Sequence, residues 1–191
     1  VVKLKDKVTK VSFINCIIAS GSSSSLIPGL PKNNLNILTS KTALELDKIP
    51  PTLLVVGGGI IGLELGQVYA SLGSKVTVVE YLPSLVPGAD SDIIKPLQRK
   101  LNKQFEQILL SSKVVSVSET KQNQLSVQVE DKNGIKEQVF DKILISVGRT
   151  PNINNLKLEN TNVELNEAGF IKVNEYQKTT VNSIYAIGDI V

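Results

Sequence analysis

Between residues 53 and 80 the hydrophobic pattern changes its period twice. Leu53, Leu54, Val55 and Val56 are an unbroken run of apolar residues that favour strands, and the run stops at Gly57. From Ile60 the spacing turns helical: Ile61, Leu65, Val68 and Leu72 recur at steps of three or four, which predicts a helix over 60–72 with those four on its inward face. Gly73 closes the helix, and "KVTVVE" is a second apolar strand stopping at Glu80. Strand, helix and strand within about 30 residues make a βαβ unit, with parallel strands and a right-handed crossover.

The flanks carry weaker signals. "SKTALELDK", residues 40–48, predicts a brief helix capped by Ser40. Beyond the βαβ unit, a loop with Pro83 and Pro87 leads to a second helix from about Asp92 to Gln104. Then "KVVSVSE", "QLSVQVE", "KEQVF" and "KILISV" follow without helices between them, with a hairpin signal at Asn133-Gly134. At the start, Cys16 to Ala19 predicts a short buried strand running into Gly21 and a serine-rich stretch, which reads equally as a linker or as an ordered loop. The tail predicts short strands near Phe170 to Val173 and Ile184 to Ile187. The expected fold class is α/β: a Rossmann-like domain with a parallel sheet and an antiparallel appendage over 31–150, flanked by incomplete pieces at 1–30 and 151–191.

Composition narrows the function classes. At 191 residues the chain suffices for one or two domains, and no apolar run approaches the ~18 residues of a membrane span. The opening "VVKLKDKVTK" lacks the apolar core of a signal peptide. The net charge of +3 comes from lysines scattered singly, and aromatics are only 4%, so a nucleic-acid partner is not expected. One cysteine, Cys16, allows no internal disulfide and favours a reducing compartment; its apolar surroundings predict a buried, inert thiol. The absence of His removes the commonest general base and metal ligand. A chain that begins with Val and contains no Met is expected to be a fragment of something longer.

The chemistry concentrates in Gly57, Gly59 and Gly62, a G-x-G-x-x-G placed after a strand and at the opening of a helix. Such glycines serve a tight turn, a close approach to pyrophosphate and close helix–strand packing, while the helix start offers free N–H groups. A merely structural turn explains an isolated match equally well. Glu80 changes that balance: it ends the next strand 18 residues after Gly62, where a carboxylate accepts from ribose hydroxyls and repels a 2′-phosphate. NAD is thus favoured over NADP. Glu64, expected on the first helical turn, reads either as a functional carboxylate or as one settled by the helix dipole. "VGRTPN" reads as a strand exit after Gly148, and "IYAIGDI" delivers Asp189 at a strand end, suited to a sugar hydroxyl or to a plain turn.

Taken together, "GGGIIGLELG…GSKVTVVE", "SVGRTPN" and "TTVNSIYAIGDIV" resemble the pyridine-nucleotide disulfide oxidoreductases, from about Cys16 to the end and in the family's order. The resemblance is greatest to the branch serving the 2-oxoacid dehydrogenase complexes. It implies an NAD domain inserted into an FAD domain. By position, Gly57, Gly58, Gly59, Ile60, Ile61 and Gly62 would hold the NAD pyrophosphate and Glu80 its adenosine ribose. Val114 and Gly148 would line the same groove, and Glu64 would lie near flavin and nicotinamide. Ser20, Gly21 and Ser22, where the family usually reads Thr-Gly-Ser, and Asp189 would contact FAD. It further implies lipoyl domains as partners, a homodimeric parent, and a bacterial cytoplasm or mitochondrial matrix. No metal site is expected. The family's cysteine pair and His base are absent from these residues, so the chain alone is expected to be inactive. Mercuric- or glutathione-reductase-like relatives, or a non-catalytic nucleotide module, are the other readings.

Overall fold

The structure, a computed structural model, describes residues 2–4, 7–31, 33–45 and 47–191. In chain order the strands are β1 (Val2–Leu4), β2 (Lys7–Thr9), β3 (Cys16–Ile18), β4 (Ser22–Ser24), β5 (Ile37–Leu38), β6 (Thr52–Val56), β7 (Lys75–Val79), β8 (Gln107–Leu109), β9 (Lys113–Glu119), β10 (Leu125–Asp131), β11 (Gly134–Phe140), β12 (Lys142–Ile145), β13 (Arg149–Pro151) and β14 (Ile184–Ala186). Helix α1 (Ile60–Ser71) lies between β6 and β7, and α2 (Ser91–Gln104) between β7 and β8. These form two compact units, one spanning Ser24–Gly148 and one built from Val1–Ser23 with Arg149–Val191.

The Ser24–Gly148 unit has three layers. Its middle is an all-parallel sheet of order β5-β12-β6-β7-β8. A strand buried on both faces needs apolar residues at every position, and alternate residues of β6 serve opposite cores. Leu53 and Val55 pack with Leu63, Tyr69, Leu101 and Phe105 of the helical layer. Leu54 and Val56 pack with Val117, Leu125, Val127 and Phe140 of the antiparallel sheet β11-β10-β9. The wholly apolar "ILI" of β12 behaves likewise: although it follows the hairpins directly, it rejoins the parallel sheet beside β6. Each such Leu, Ile or Val stabilises the fold by about 1.5–3 kcal/mol through burial. The β10–β11 turn has Gly134 at φ 114°, with the Asn133 N–H donating to Asp131 Oδ1 at 2.7 Å.

The structure departs from the sequence expectations in five places. Helix α1 turns Gly62, Leu63, Gly66 and Tyr69 inward, whereas Ile61, Val68 and Leu72 are exposed and only Leu65 of the predicted face packs against the core. The cause is close approach: a Cβ on Gly66 would sit 3.2 Å from Phe105 Cζ, so glycines mark the packed face, and counting apolar residues misses it. The helix expected at 40–48 is a single 3₁₀ turn, Thr42–Leu44, with Lys41 rather than Ser40 before it; Leu46 lies outside the described residues. Its Ala43 carbonyl accepts from Tyr69 Oη at 2.8 Å, and burial pushes the Tyr69 hydroxyl up from its ordinary pKa. Gln107–Leu109, too short to register as a strand, completes the parallel sheet. In the other unit, β3 pairs in parallel with β14 but is half-exposed, so Cys16 is only partly buried. Near Phe170 the predicted strand is one bridge, Leu165 with Ile171.

A carboxylate ties the sheet together from below. Asp141 Oδ2 accepts from Thr52 N at 2.9 Å and Thr52 Oγ1 at 2.6 Å, and Oδ1 accepts from Gln124 Nε2 at 2.9 Å. Burial raises the Asp141 pKa, and these hydrogen bonds outweigh it, holding the carboxyl below the usual aspartate value. A folded pKa below the unfolded one means stability that is present above the unfolded value and lost as pH falls through the folded one. Asp141→Ala is expected to cost about 1–3 kcal/mol, by stranding the Thr52 donors, and to flatten the acid limb of stability. Urea melts of both proteins between pH 3 and 7 check this; parallel acid limbs would overturn it.

Candidate functional site

The carboxyl ends of β6, β7 and β12 carry the glycine turn. Gly57 leaves β6 at φ 107°, with its N–H donating to the Val79 carbonyl at 2.9 Å. A Cβ there would run into the Ser146 carbonyl, and one on Gly62 into the Gly57 carbonyl oxygen and Ser146 Oγ. Ser146 Oγ bonds the Val56 carbonyl at 2.9 Å and the Gly57 carbonyl at 3.1 Å. Gly57, Gly62 and Ser146 are one packed unit under the turn. Ser146 is not among the expected site residues; its only signal is a lone hydroxyl ending the apolar run "KILIS".

Above that unit the backbone is bare. Gly59, at φ −78° and ψ 179°, is the residue before α1; no side chain caps the helix, and a Cβ on Gly59 would meet nothing within 4 Å. The first-turn N–H groups of Ile60, Ile61 and Gly62 have no partner within the helix, and they stand at its positive dipole end. Both isoleucine side chains are exposed. An open backbone face with convergent N–H groups suits a phosphate.

Glu80 closes the other side. The residue is 7% exposed; Oε2 accepts the Gly58 N–H at 2.6 Å and Oε1 the Leu82 N–H at 2.7 Å. Its backbone bonds Leu109 and Ser112, so β8 and the loop after it hold it in place. Beside it lies a cleft of ≈ 220 Å³ lined by Tyr81, Ser111, Ser112, Lys113, Glu130 and Asp131. Across it Lys113 Nζ pairs with Glu130 at 2.8 Å; that hydrogen bond and charge raise the Lys113 pKa.

The remaining positions divide. Val114 pairs with Val129, and its half-buried side chain packs on the core. Gly148, at φ 125°, is exposed and its carbonyl accepts from Ser25 N at 3.0 Å. Glu64 is exposed, and because α1 begins at Ile60 it lies beyond the first turn, where the dipole no longer explains it.

The second unit gathers the rest. Ser22 Oγ donates to Asp189 Oδ2 at 3.0 Å and accepts from Arg149 Nε at 2.5 Å, and Arg149 reaches Asp189 at 3.1 Å. Asn152 bonds the carbonyls of Ser20 and Gly21, each at 2.9 Å. "VGRTPN" is thus more than a strand exit, since Arg149 and Asn152 organise the Ser20–Ser22 loop. Ser20 Oγ is buried with no partner among the described residues.

A family model described as "Pyridine nucleotide-disulphide oxidoreductase" matches residues 1–191. The chain belongs to that family. It is 40% identical over 190 residues to a dihydrolipoyl dehydrogenase of Buchnera aphidicola (99% of this chain, 40% of the relative). It is 42% identical over 184 residues to one of Vibrio parahaemolyticus (96% and 38%). Among solved structures, LpdA of Mycobacterium tuberculosis superposes with TM-score 0.81 at 27% identity, covering 92% of this chain and 38% of that one. The HOCl-induced flavoprotein disulfide reductase RclA of Escherichia coli gives a TM-score of 0.80 at 31% identity, covering 91% and 39%. The chain therefore spans about two fifths of the length of the curated relatives it matches.

Within this family the donor set suits its two nucleotides. The bare Gly59 backbone, the uncapped helix start and the buried Glu80 acceptor match a pyrophosphate with an adjoining ribose. The Ser20 hydroxyl, unpartnered among the described residues, and the Asp189 carboxylate match a polyhydroxylated chain. No described helix is long and apolar enough to cross a membrane.

Proposed function

We propose that this chain is the NAD-binding portion of a dihydrolipoyl dehydrogenase, a flavoprotein that oxidises dihydrolipoamide on the lipoyl domains of 2-oxoacid dehydrogenase complexes. The observation that carries the reading is the buried Glu80 carboxyl, 2.6 Å from the Gly58 N–H at an otherwise bare glycine turn. The Gly57–Gly62 backbone holds the pyrophosphate, Glu80 takes the adenosine ribose hydroxyls, and the cleft at Tyr81, Ser112 and Lys113, with the Val114 backbone beside it, takes adenine. Gly148 borders the groove, and Glu64 stands near the nicotinamide and flavin. Ser20, Gly21, Ser22 and Asp189 belong to the FAD contacts of the whole protein. We assign 31–150 to the NAD domain, and 1–30 and 151–191 to the interrupted FAD domain.

Bound NAD⁺ supplies a hydride acceptor; the protein's part is to orient it and exclude competing chemistry. With one cysteine and no histidine, these residues provide neither a dithiol nor an imidazole base. This chain alone is expected to give no lipoamide-dependent NADH formation, and measurable turnover in that assay would sink the assignment of roles. The bacterial source of the relatives supports a bacterial cytoplasm, and the whole protein is proposed to be a homodimer. The likeness to RclA keeps a different disulfide reductase as the second reading.

Calorimetric titration of the chain with NADH and NADPH tests the nucleotide site. NADH is expected to bind at least tenfold tighter than NADPH, because the Glu80 carboxyl meets the 2′-phosphate. Preference for NADPH overturns the Glu80 assignment, and binding of neither favours a scaffold module.

A further inference from the structure

The two N–H groups on the Glu80 carboxyl come from different segments: Gly58 belongs to the glycine turn, and Leu82 to the chain leaving β7. The middle glycine also rests on this side chain. A Cβ on Gly58 would stand 3.1 Å from Glu80 Cβ, 3.2 Å from its Cγ and 2.7 Å from Leu85 Cδ2. Around these atoms the backbone is cross-tied, with Val86 N donating to the Gly58 carbonyl at 2.9 Å and Ser111 N to the Leu82 carbonyl at 3.0 Å. The glycine turn and the loop after β7 thus meet at one buried carboxyl.

We propose that Glu80 is a positioning residue as well as a ribose acceptor: it latches Gly58 to Leu82 and so sets the geometry in which Gly59 and the start of α1 meet a pyrophosphate. The ribose half of this statement rests on the NAD reading above; the latch does not. Each carboxyl oxygen has two lone pairs, so it can keep its backbone bond while accepting a ribose hydroxyl. Arg and Lys have no acceptor, and in either variant the buried Gly58 N–H would be stranded. Coenzyme preference and turn geometry are therefore coupled at one side chain. A single basic replacement weakens NADH without creating an NADPH site.

The first measurement uses no nucleotide. Amide hydrogen exchange by NMR is compared for the wild-type chain, Glu80→Gln and Glu80→Ala. In Glu80→Ala the Gly58 and Leu82 amides are expected to exchange at least tenfold faster, with Val55 and Leu144 unchanged. Glu80→Gln, with one carbonyl oxygen left, is expected to free one of the two and is the fallback should the alanine variant not fold. Wild-type exchange at Gly58 in either folded variant, together with wild-type exchange at Leu82, overturns the latch. Failure of the wild-type chain to bind NADH would sink the functional reading and leave this limb standing. The second measurement titrates NADH and its analogue lacking both adenosine ribose hydroxyls. A residue acting on ribose alone predicts equal analogue binding by wild type and Glu80→Gln; the latch predicts at least fivefold weaker binding by the variant. Glu80→Arg is expected to bind NADPH no tighter than wild type, and a tenfold gain with Gly58 still protected would overturn the coupling.

Discussion

Gly59→Ala is expected to leave the thermal transition of the chain in place and to weaken NADH binding about a hundredfold, or about 2.7 kcal/mol. The two halves have separate causes. The Gly59 backbone, at φ −78°, suits any residue, and the added methyl would meet nothing within 4 Å, so folding gains no clash. That same empty space is where the pyrophosphate must come against the backbone, and a methyl there holds it away from the helix N–H groups. Calorimetry beside a thermal melt checks both halves. Unchanged affinity would show that the open face above Gly59 is not the phosphate site. A lowered melting temperature would show that the open space is not open.

Gly57→Ala should do the reverse and damage the fold directly, by about 3 kcal/mol or more. Alanine at φ 107° is strained, and its Cβ would run into the Ser146 carbonyl, a backbone atom that cannot swing aside. In a chain of this size such a loss lowers the transition by roughly 6–12 °C. Gly62→Ala is expected to act in the same direction, and Ser146→Ala is not expected to rescue it, because the Gly57 carbonyl oxygen still occupies the space. Differential scanning calorimetry of the three variants decides this; a Gly62→Ala/Ser146→Ala double variant melting like wild type would place the whole clash on the serine hydroxyl.

Contrasting expectations for glycines two residues apart depend on what surrounds each one. The spacing of Gly57, Gly59 and Gly62 and the strand-end position of Glu80 are sequence facts, visible because a phosphate turn restricts residue type at set intervals. Gly58 is legible only as part of the run; its buried N–H and its contact with Glu80 arise from a residue 22 positions away. Ser146 is 89 positions from Gly57, and no local pattern announces a serine whose task is to fill the space beneath a distant turn. Arg149 and Asn152 are hidden in the same way, since their partners Ser22, Asp189 and Ser20 are remote in sequence.

The βαβ unit, the glycine turn, the acidic strand end and the alternating strands Lys113–Glu119 and Leu125–Asp131 can be read from the order of residues, all being consequences of local period and residue type. Which face of α1 is buried depends instead on packing in three dimensions. The apolar stripe Ile61, Val68 and Leu72 points to solvent, and the face built on Gly62 and Gly66 lies on the sheet. The reason is distance: glycine lets α1 approach Val55, Val76 and Phe105 closely enough that backbone contact replaces side-chain contact. A count of apolar residues registers Leu63 and Tyr69 but passes over Gly62 and Gly66, the two positions where this interface works by leaving a side chain out.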